Sequence, residues 1–145
     1  MPSSTPFVLE AVRGSVVDLE TGEPIAGAEV VEWYFGGGPS DGARPVHHAR
    51  WATSDRDGAF VLAESRASAH MIAGSSYGPK FAFVHADYGL QRQAREIDGR
   101  WVLQGDKRRA KQAHQDLQPY CRGERDDAGA RRIREVACDA TPSRE

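Results

Sequence analysis

The chain has 145 residues, of which 39% are hydrophobic and 28% charged, with a formal net charge of −2. That length fits one domain with a single modest core, and the apolar content argues against intrinsic disorder. A near-neutral balance leaves no electrostatic footprint for a polyanion, so nucleic acid is not an expected partner.

In chain order, residues 1–9 read as a Pro/Ser/Thr-rich linker. Met1–Pro6 has neither a basic n-region nor an apolar h-region, so no secretory leader is read there. Two settings follow from this start: a cytoplasmic protein, or an exported mature domain, periplasmic or attached to the outer membrane through a lipid anchor lying upstream. No apolar run reaches the eighteen or so residues that a membrane-spanning helix needs.

Phe7–Asp18 alternates as a strand, with Val8, Val12 and Val16 on one face and Gly14 allowing close backbone approach. Thr21-Gly22 supplies a turn, Pro24 suits a strand start, and Ala28–Phe35 forms the second strand, rich in the aromatic residues that fit a pleated surface. The cluster Gly36–Gly42 reads as a loop. No helix pattern or Gly-Lys-Ser/Thr follows it, so it is not a phosphate cradle. Arg50–Thr53 is a third strand, Asp55-Arg56-Asp57-Gly58 a hairpin turn, and Ala59–Ala63 a fourth strand. After a polar loop over 67–79, strands are expected at Phe81–Ala86, Leu90–Ala94 and Trp101–Leu103. Seven short strands separated by turns predict an antiparallel sandwich over residues 10–104, with Val16, Val30, Phe60, Leu62 and Phe83 in its core.

Past Gly105 the period changes. Asp106 is placed to cap a helix with Ala110, Ala113 and Leu117 on one face, ending near Pro119. A second helix from about Asp127 carries Ala130, Ile133 and Ala137. Residues 105–145 thus form a helical extension, which holds both cysteines, Cys121 and Cys138, with 16 residues between them. An even count confined to one segment predicts a disulfide joining the two helices, and with it an oxidising compartment. Two free buried thiols are the competing reading.

The segment Val12–Val30, with its Thr-Gly turn, Pro-Ile corner and Gly-Ala strand opening, and the fragment Thr53–Leu62 together resemble the carboxypeptidase regulatory-like domain. That resemblance covers roughly residues 10–104 and implies a transthyretin-like, or prealbumin-like, β-sandwich. It also implies a non-catalytic accessory role, because the module recurs as a binding or scaffold unit.

Two enzyme families share that sandwich. Ala28–Trp33 is similar to a strand of the intradiol ring-cleavage dioxygenases, which hold ferric iron with two Tyr and two His, the His pair as H-x-H after a Pro. Here Pro79 leads to a lone His85, and Tyr34, Tyr77 and Tyr88 are the available tyrosines. The transthyretin-like hydroxyisourate hydrolases place a His before the first strand and end in Tyr-Arg-Gly-Ser. This chain has Gly14-Ser15-Val16-Val17-Asp18 at the first place and Tyr120-Cys121-Arg122-Gly123 at the second. Both catalytic sets are incomplete, so no catalytic, cofactor-binding or metal-ligating residue is assigned and no cofactor is expected.

The remaining constellations have plainer readings. Asp55-x-Asp57-Gly58 lacks the donors of a calcium loop and reads as a turn. His47 and His48 would point to opposite faces of a strand, and His70, His85 and His114 are scattered. Asp18 with Glu20, and Asp126 with Asp127, read as exposed turn or capping residues. Charge is mildly segregated, with 9 Lys/Arg against 13 Asp/Glu in residues 1–104 and 10 against 8 thereafter. Lys107–Lys111 is a short basic run on a solvated helix face, able to meet an anionic headgroup or partner. Trp33, Trp51 and Trp101 would serve a glycan- or small-ligand-binding module if they shared one exposed patch. The expectation is therefore a non-enzymatic binding or scaffold module of the bacterial envelope, with an unknown protein or small ligand as partner. An enzyme on the same fold and a glycan binder are the alternatives.

Overall fold

The structure, a computed structural model, describes residues 6–38, 42–68, 80–124 and 128–139. His70, Tyr77, Pro79 and the Asp126–Asp127 pair lie outside the described residues, as does most of the loop expected over 67–79.

The molecule is mainly β. Among the described residues ten strands run in order as β1 (Pro6–Leu9), β2 (Val12–Asp18), β3 (Glu29–Gly38), β4 (Gly42–Thr53), β5 (Ala59–Leu62), β6 (Ser65–Ser68), β7 (Lys80–His85), β8 (Gly89–Gln91), β9 (Ala94–Ile97) and β10 (Arg100–Gly105). A 3-10 turn at Lys107–Arg109 leads into helix α1 (Ala110–Gln115), followed by α2 (Gln118–Cys121), α3 (Ala128–Arg134) and a π turn at Glu135–Asp139.

Eight strands form two four-stranded sheets, ordered β5-β2-β10-β9 (the first sheet) and β4-β3-β7-β8 (the second), while β1 and β6 pair as a small separate sheet. The expected all-antiparallel arrangement is corrected at one place: β10 lies parallel to β2, with Trp101 opposite Gly14 and Gly105 opposite Asp18. The break between Leu9 and Val12 sends the segment read as one strand, 7–18, into two different sheets. Residues Pro6–Leu9, expected as linker, pair with Ser65–Ser68. The glycine cluster after Phe35 does not break the chain at Gly36 either. Backbone pairing continues to Gly38 opposite Gly42, after a register shift between Trp33 and Phe35.

The inner faces of the two sheets meet in one core of Val16, Val30, Phe60, Leu62, Phe81, Phe83, Tyr88 and Leu103, which includes all five residues expected there. The period of two explains the selection, since Phe60 and Leu62 are buried on β5 while Ala59 and Val61 are exposed. Gly14 is required at the centre, because a Cβ there would meet the Phe60 ring and the Trp101 carbonyl. Trp101 lies half-buried against Phe81, with ring centroids 4.6 Å apart.

A second core lies on the far side of the second sheet. Val31, Ala82 and Leu90 point away from the first core and are covered by Tyr120, Ala130 and Ile133 of the helices. The helical segment is therefore a third layer rather than an appendage. Pro119, expected to end a helix, instead occupies the first turn of α2, where a missing N–H costs nothing. Cys121, at the end of α2, is joined to Cys138 in the π turn after α3, with Cα atoms 5.6 Å apart. The bridge ties helix to helix, and both helices press on the sheet.

At one end of the inner core sits a buried ion pair. Glu32 on β3 and Arg50 on β4 are cross-strand partners, 1% and 7% exposed. Arg50 Nε donates to Glu32 Oε1 at 2.7 Å and Nη2 to Oε2 at 3.0 Å. The third nitrogen, Nη1, donates to the carbonyls of Glu10 at 2.8 Å and Ala63 at 3.0 Å, with Leu9 at 3.4 Å. These carbonyls belong to the links that leave β1 and β5, so one guanidinium fastens the small β1–β6 sheet to the second sheet.

Two outcomes follow. Replacing Arg50 by Met strands the Glu32 carboxylate and three carbonyls, and should cost about 3–5 kcal/mol in denaturant unfolding. The double change Glu32→Leu with Arg50→Met should recover part of that, leaving the carbonyls as the remaining deficit. Replacing both cysteines by Ser should cost about 3 kcal/mol by loop entropy. Hydrogen exchange should then rise around Tyr120 and Ile133, while Val31 and Ala82, on strands bonded at both edges, stay protected.

Candidate functional site

The turn after β2 is built by Asp18, whose Oδ1 accepts from the N–H groups of Glu20 at 2.9 Å and Thr21 at 3.0 Å. Its other oxygen accepts from the Tyr88 hydroxyl at 2.6 Å, a buried bond from the end of β2 to the turn between β7 and β8. Asp18 is thus buried and committed, not the exposed turn residue expected from its sequence context. Tyr88 is ringed by His85, whose centroid is 5.4 Å away, and by the Lys107 ammonium at 5.6 Å.

The Tyr88 hydrogen bond, followed by the backbone N–H of Thr21, lowers the Asp18 carboxyl to about 2. Burial, with the Asp18 hydrogen bond second, pushes the Tyr88 hydroxyl well above its ordinary range. His85 Nδ1 accepts from the Asp87 N–H at 3.0 Å, which leaves Nε2 to donate to the Ala26 carbonyl at 2.9 Å. Tyr88 and His85, two residues an iron site of the dioxygenase type would draw on, are both spent on internal bonds and do not fit that role. Among the described residues no cluster of three or more His, Cys, Asp or Glu side chains is arranged to hold a metal.

A turn stands at 55–58, but it is not the hairpin expected, because β4 and β5 belong to different sheets. Asp55 Oδ1 accepts from the N–H groups of Asp57 and Ala59, both at 2.9 Å, so this carboxylate closes a turn that carries the chain from one sheet to the other. The basic run divides among three destinations: Lys107 lies over Tyr88, Arg108 pairs with Asp106 and Glu20, and Arg109 lines a groove. The tryptophans do not form one patch. Trp101 belongs to the inner core, while Trp51, 45% exposed, lies outside the second sheet with the Arg132 guanidinium 5.2 Å from its ring centroid. For His47, His48, Trp33 and Tyr34 the described structure gives strand positions alone.

The groove that takes Arg109 has a volume of about 600 Å³ and opens between the end of β8 and helices α1 and α2. Local packing fixes its walls. Gly89 has φ +74°, and a Cβ there would lie 2.7 Å from the α1 backbone at Ala113 and His114, so the helix rests directly on the strand. Gln91, buried, latches the helix start: its Nε2 donates to the Tyr88 and Asp106 carbonyls at 2.9 and 3.0 Å, and its Oε1 accepts from the Asp106 N–H at 3.0 Å. Asp106 then caps the 3-10 turn by accepting from the Arg108 N–H at 3.0 Å. The side-chain bond from Arg108 holds its carboxyl below the usual range.

Leu90, Ala113 and Pro119 supply the apolar lining of this groove, and Arg92, Arg109, Gln93, Gln115 and Asp116 the polar one. Arg92 Nη2 donates to the Tyr120 hydroxyl at 2.7 Å, which holds the guanidinium at the wall. Asp116 accepts from Gln112 at 3.0 Å. Sequence reasoning placed Arg109 on a basic helix face and missed the rest. Arg92 follows an edge strand with no spacing signal, and only the Gly89–α1 contact brings the two arginines to one opening.

The Asp18–Tyr88 bond makes stability depend on pH in a calculable direction. A carboxylate depressed from 3.8 to about 2 on folding stabilises fully above its unfolded value, and that stabilisation is lost between about pH 4 and pH 2. A hydroxyl raised above 10.0 is stabilising below that value and fails as pH climbs past it. Melting temperature measured against pH should therefore fall below about pH 4, and Tyr88→Phe should flatten that acid limb without moving the plateau's midpoint. Comparison with known proteins returns no matching family model, no matching curated protein and no matching solved structure.

Proposed function

We propose that this chain is a non-catalytic binding module on a prealbumin-like sandwich of the carboxypeptidase regulatory-like kind, working in the bacterial envelope. Its ligand site is the groove between β8 and α1–α2, and its ligand is a small polar anion bearing a carboxylate or phosphate. One observation carries the reading: Arg92 and Arg109 line the same concave opening, which has an apolar lining and amide side chains within reach. Its volume falls in the ordinary range for small-ligand sites, in which a few polar groups set orientation on an apolar lining. Guanidinium groups match carboxylate and phosphate oxygens in paired hydrogen bonds. The Cys121–Cys138 bridge suits an oxidising compartment. Among the described residues no helix is long and apolar enough to cross a membrane.

The perturbed and buried polar groups favour binding over catalysis, because Asp18, Tyr88, Gln91 and Asp106 spend their hydrogen bonds on turns, caps and sheet contacts. The test titrates the full chain with citrate and with inorganic phosphate while following the Arg92 and Arg109 side-chain N–H resonances. Saturable shifts are expected, and Arg92→Ala or Arg109→Ala should each weaken binding about tenfold, as loss of a charge-assisted hydrogen bond does. Absence of saturation with both anions, or equal binding by both variants, would overturn the site.

A further inference from the structure

The described helices pack on the second sheet. The outer face of the first sheet lies outside both buried apolar clusters. Strand alternation places Ala59 and Val61 of β5, Arg13, Ser15 and Val17 of β2, Arg100, Val102 and Gln104 of β10, and Arg95 and Ile97 of β9 on that face. Val61 is 46% exposed and Ile97 42%. Every charged residue among these outward positions is an arginine.

Arg13, Arg95 and Arg100 are exposed and make no ion pair or hydrogen bond with any described residue, so all three guanidinium groups are available to an external carboxylate. Arg13 and Arg100 each stand one residue before the Gly14–Trp101 pair on adjacent parallel strands. They are side-by-side like charges, a destabilising arrangement in a sheet, with Val61 opposite Arg13 and Ile97 opposite Arg100. Solubility does not require this pattern, since alternating signs would serve, and residues 1–104 are acidic as a whole, with 13 Asp/Glu against 9 Lys/Arg. Further along β10, beside Val17, the side-chain oxygen of Gln104 is buried without a hydrogen-bond partner among the described residues.

We propose that this face docks an acidic protein segment: an apolar ridge lying along Val61, Val102 and Ile97, flanked by carboxylates that engage Arg13, Arg95 and Arg100. Arginine is enriched and lysine depleted at protein interfaces. Its planar fork takes a carboxylate in two parallel bonds. A nucleic-acid strand would call for exposed aromatic rings to stack its bases, and the described outward positions carry none. A lipid surface would favour bulky or aromatic side chains for insertion. This surface is separate from the β8–α1 groove, so each can fail without the other.

The test uses the full chain and a synthetic amphipathic peptide of Glu and Leu, with amide shifts mapped by NMR. The same peptide carrying Gln for Glu, phosphatidylglycerol vesicles and oligothymidine serve as comparisons. The Glu peptide should shift the amides of β2, β5, β9 and β10 selectively, and its affinity should fall as salt rises. The triple variant Arg13→Glu/Arg95→Glu/Arg100→Glu should weaken it at least about tenfold. Arg100→Glu alone, which gives Arg13 an opposite charge beside it, should melt no lower than the parent and so controls for folding. Equal binding of the Gln peptide, binding by vesicles or oligothymidine in preference to the peptide, or unchanged affinity in the triple variant would each overturn the proposal.

Discussion

The bond from Arg50 to Glu32 is the constraint on which the arrangement of sheets depends. Two charges taken out of water at the end of an apolar core are costly unless every polar atom is answered. Here the carboxylate is held by both oxygens, and the guanidinium continues to the carbonyls of Glu10 and Ala63. An apolar pair could fill the volume but could not reach those carbonyls. The pair therefore dictates where β1 and β6 leave the two sheets, and it fixes the β3–β4 register through its own cross-strand position. A slip of one residue would turn Glu32 to the opposite face and separate it from Arg50.

A second polar contact performs the same task at the other end. Asp18 closes the β2 turn with one oxygen and reaches Tyr88 with the other. Ser54 adds a smaller clasp: its hydroxyl accepts from the Ala28 N–H at 2.9 Å and donates to the Ile25 carbonyl at 2.8 Å, fastening the long β2–β3 connection to the end of β4. Between these clasps the core is apolar and its residues alternate cleanly. The sandwich is thus specified by packing in the middle and by hydrogen bonds at its ends.

The sequence was legible where a residue's role depends on its near neighbours. The strand alternation around Val16, Phe60 and Phe83, the Asp55 turn, the Asp106 cap and the Cys121–Cys138 pairing all lie within one element or one segment. Three features were not legible, each because its cause is tertiary. Val31 and Ala82 look like outward strand positions until helices cover them, and nothing within β3 or β7 marks that covering. Gly36–Gly38 reads as a loop because glycine is a poor strand former, yet an antiparallel partner across the hairpin carries the pairing through. Asp18 reads as an exposed turn carboxylate because its partner, Tyr88, lies seventy residues away in the turn between β7 and β8. The groove was missed on the same ground, since Arg92 and Arg109 are brought together by a glycine under a helix and not by spacing.

The parallel pairing of β2 with β10 has a consequence for how this chain acquires its structure. The second strand in the sequence needs the last described strand as its neighbour, with Gly14 against Trp101 and Leu103 against Val16. β5 can add to β2 early, but the middle of that sheet stays incomplete until residues near 100 are available. Contacts this distant in sequence pay their loop-closure entropy before they return any burial, which slows folding. Until that closure, Val16, Phe60 and Leu62 have no opposing Leu103, and the edge of β2 is open to any passing strand. A chain truncated before β10 would keep most of its strands and lose the one that closes its core, so it should accumulate as an aggregating intermediate and not as a smaller folded domain.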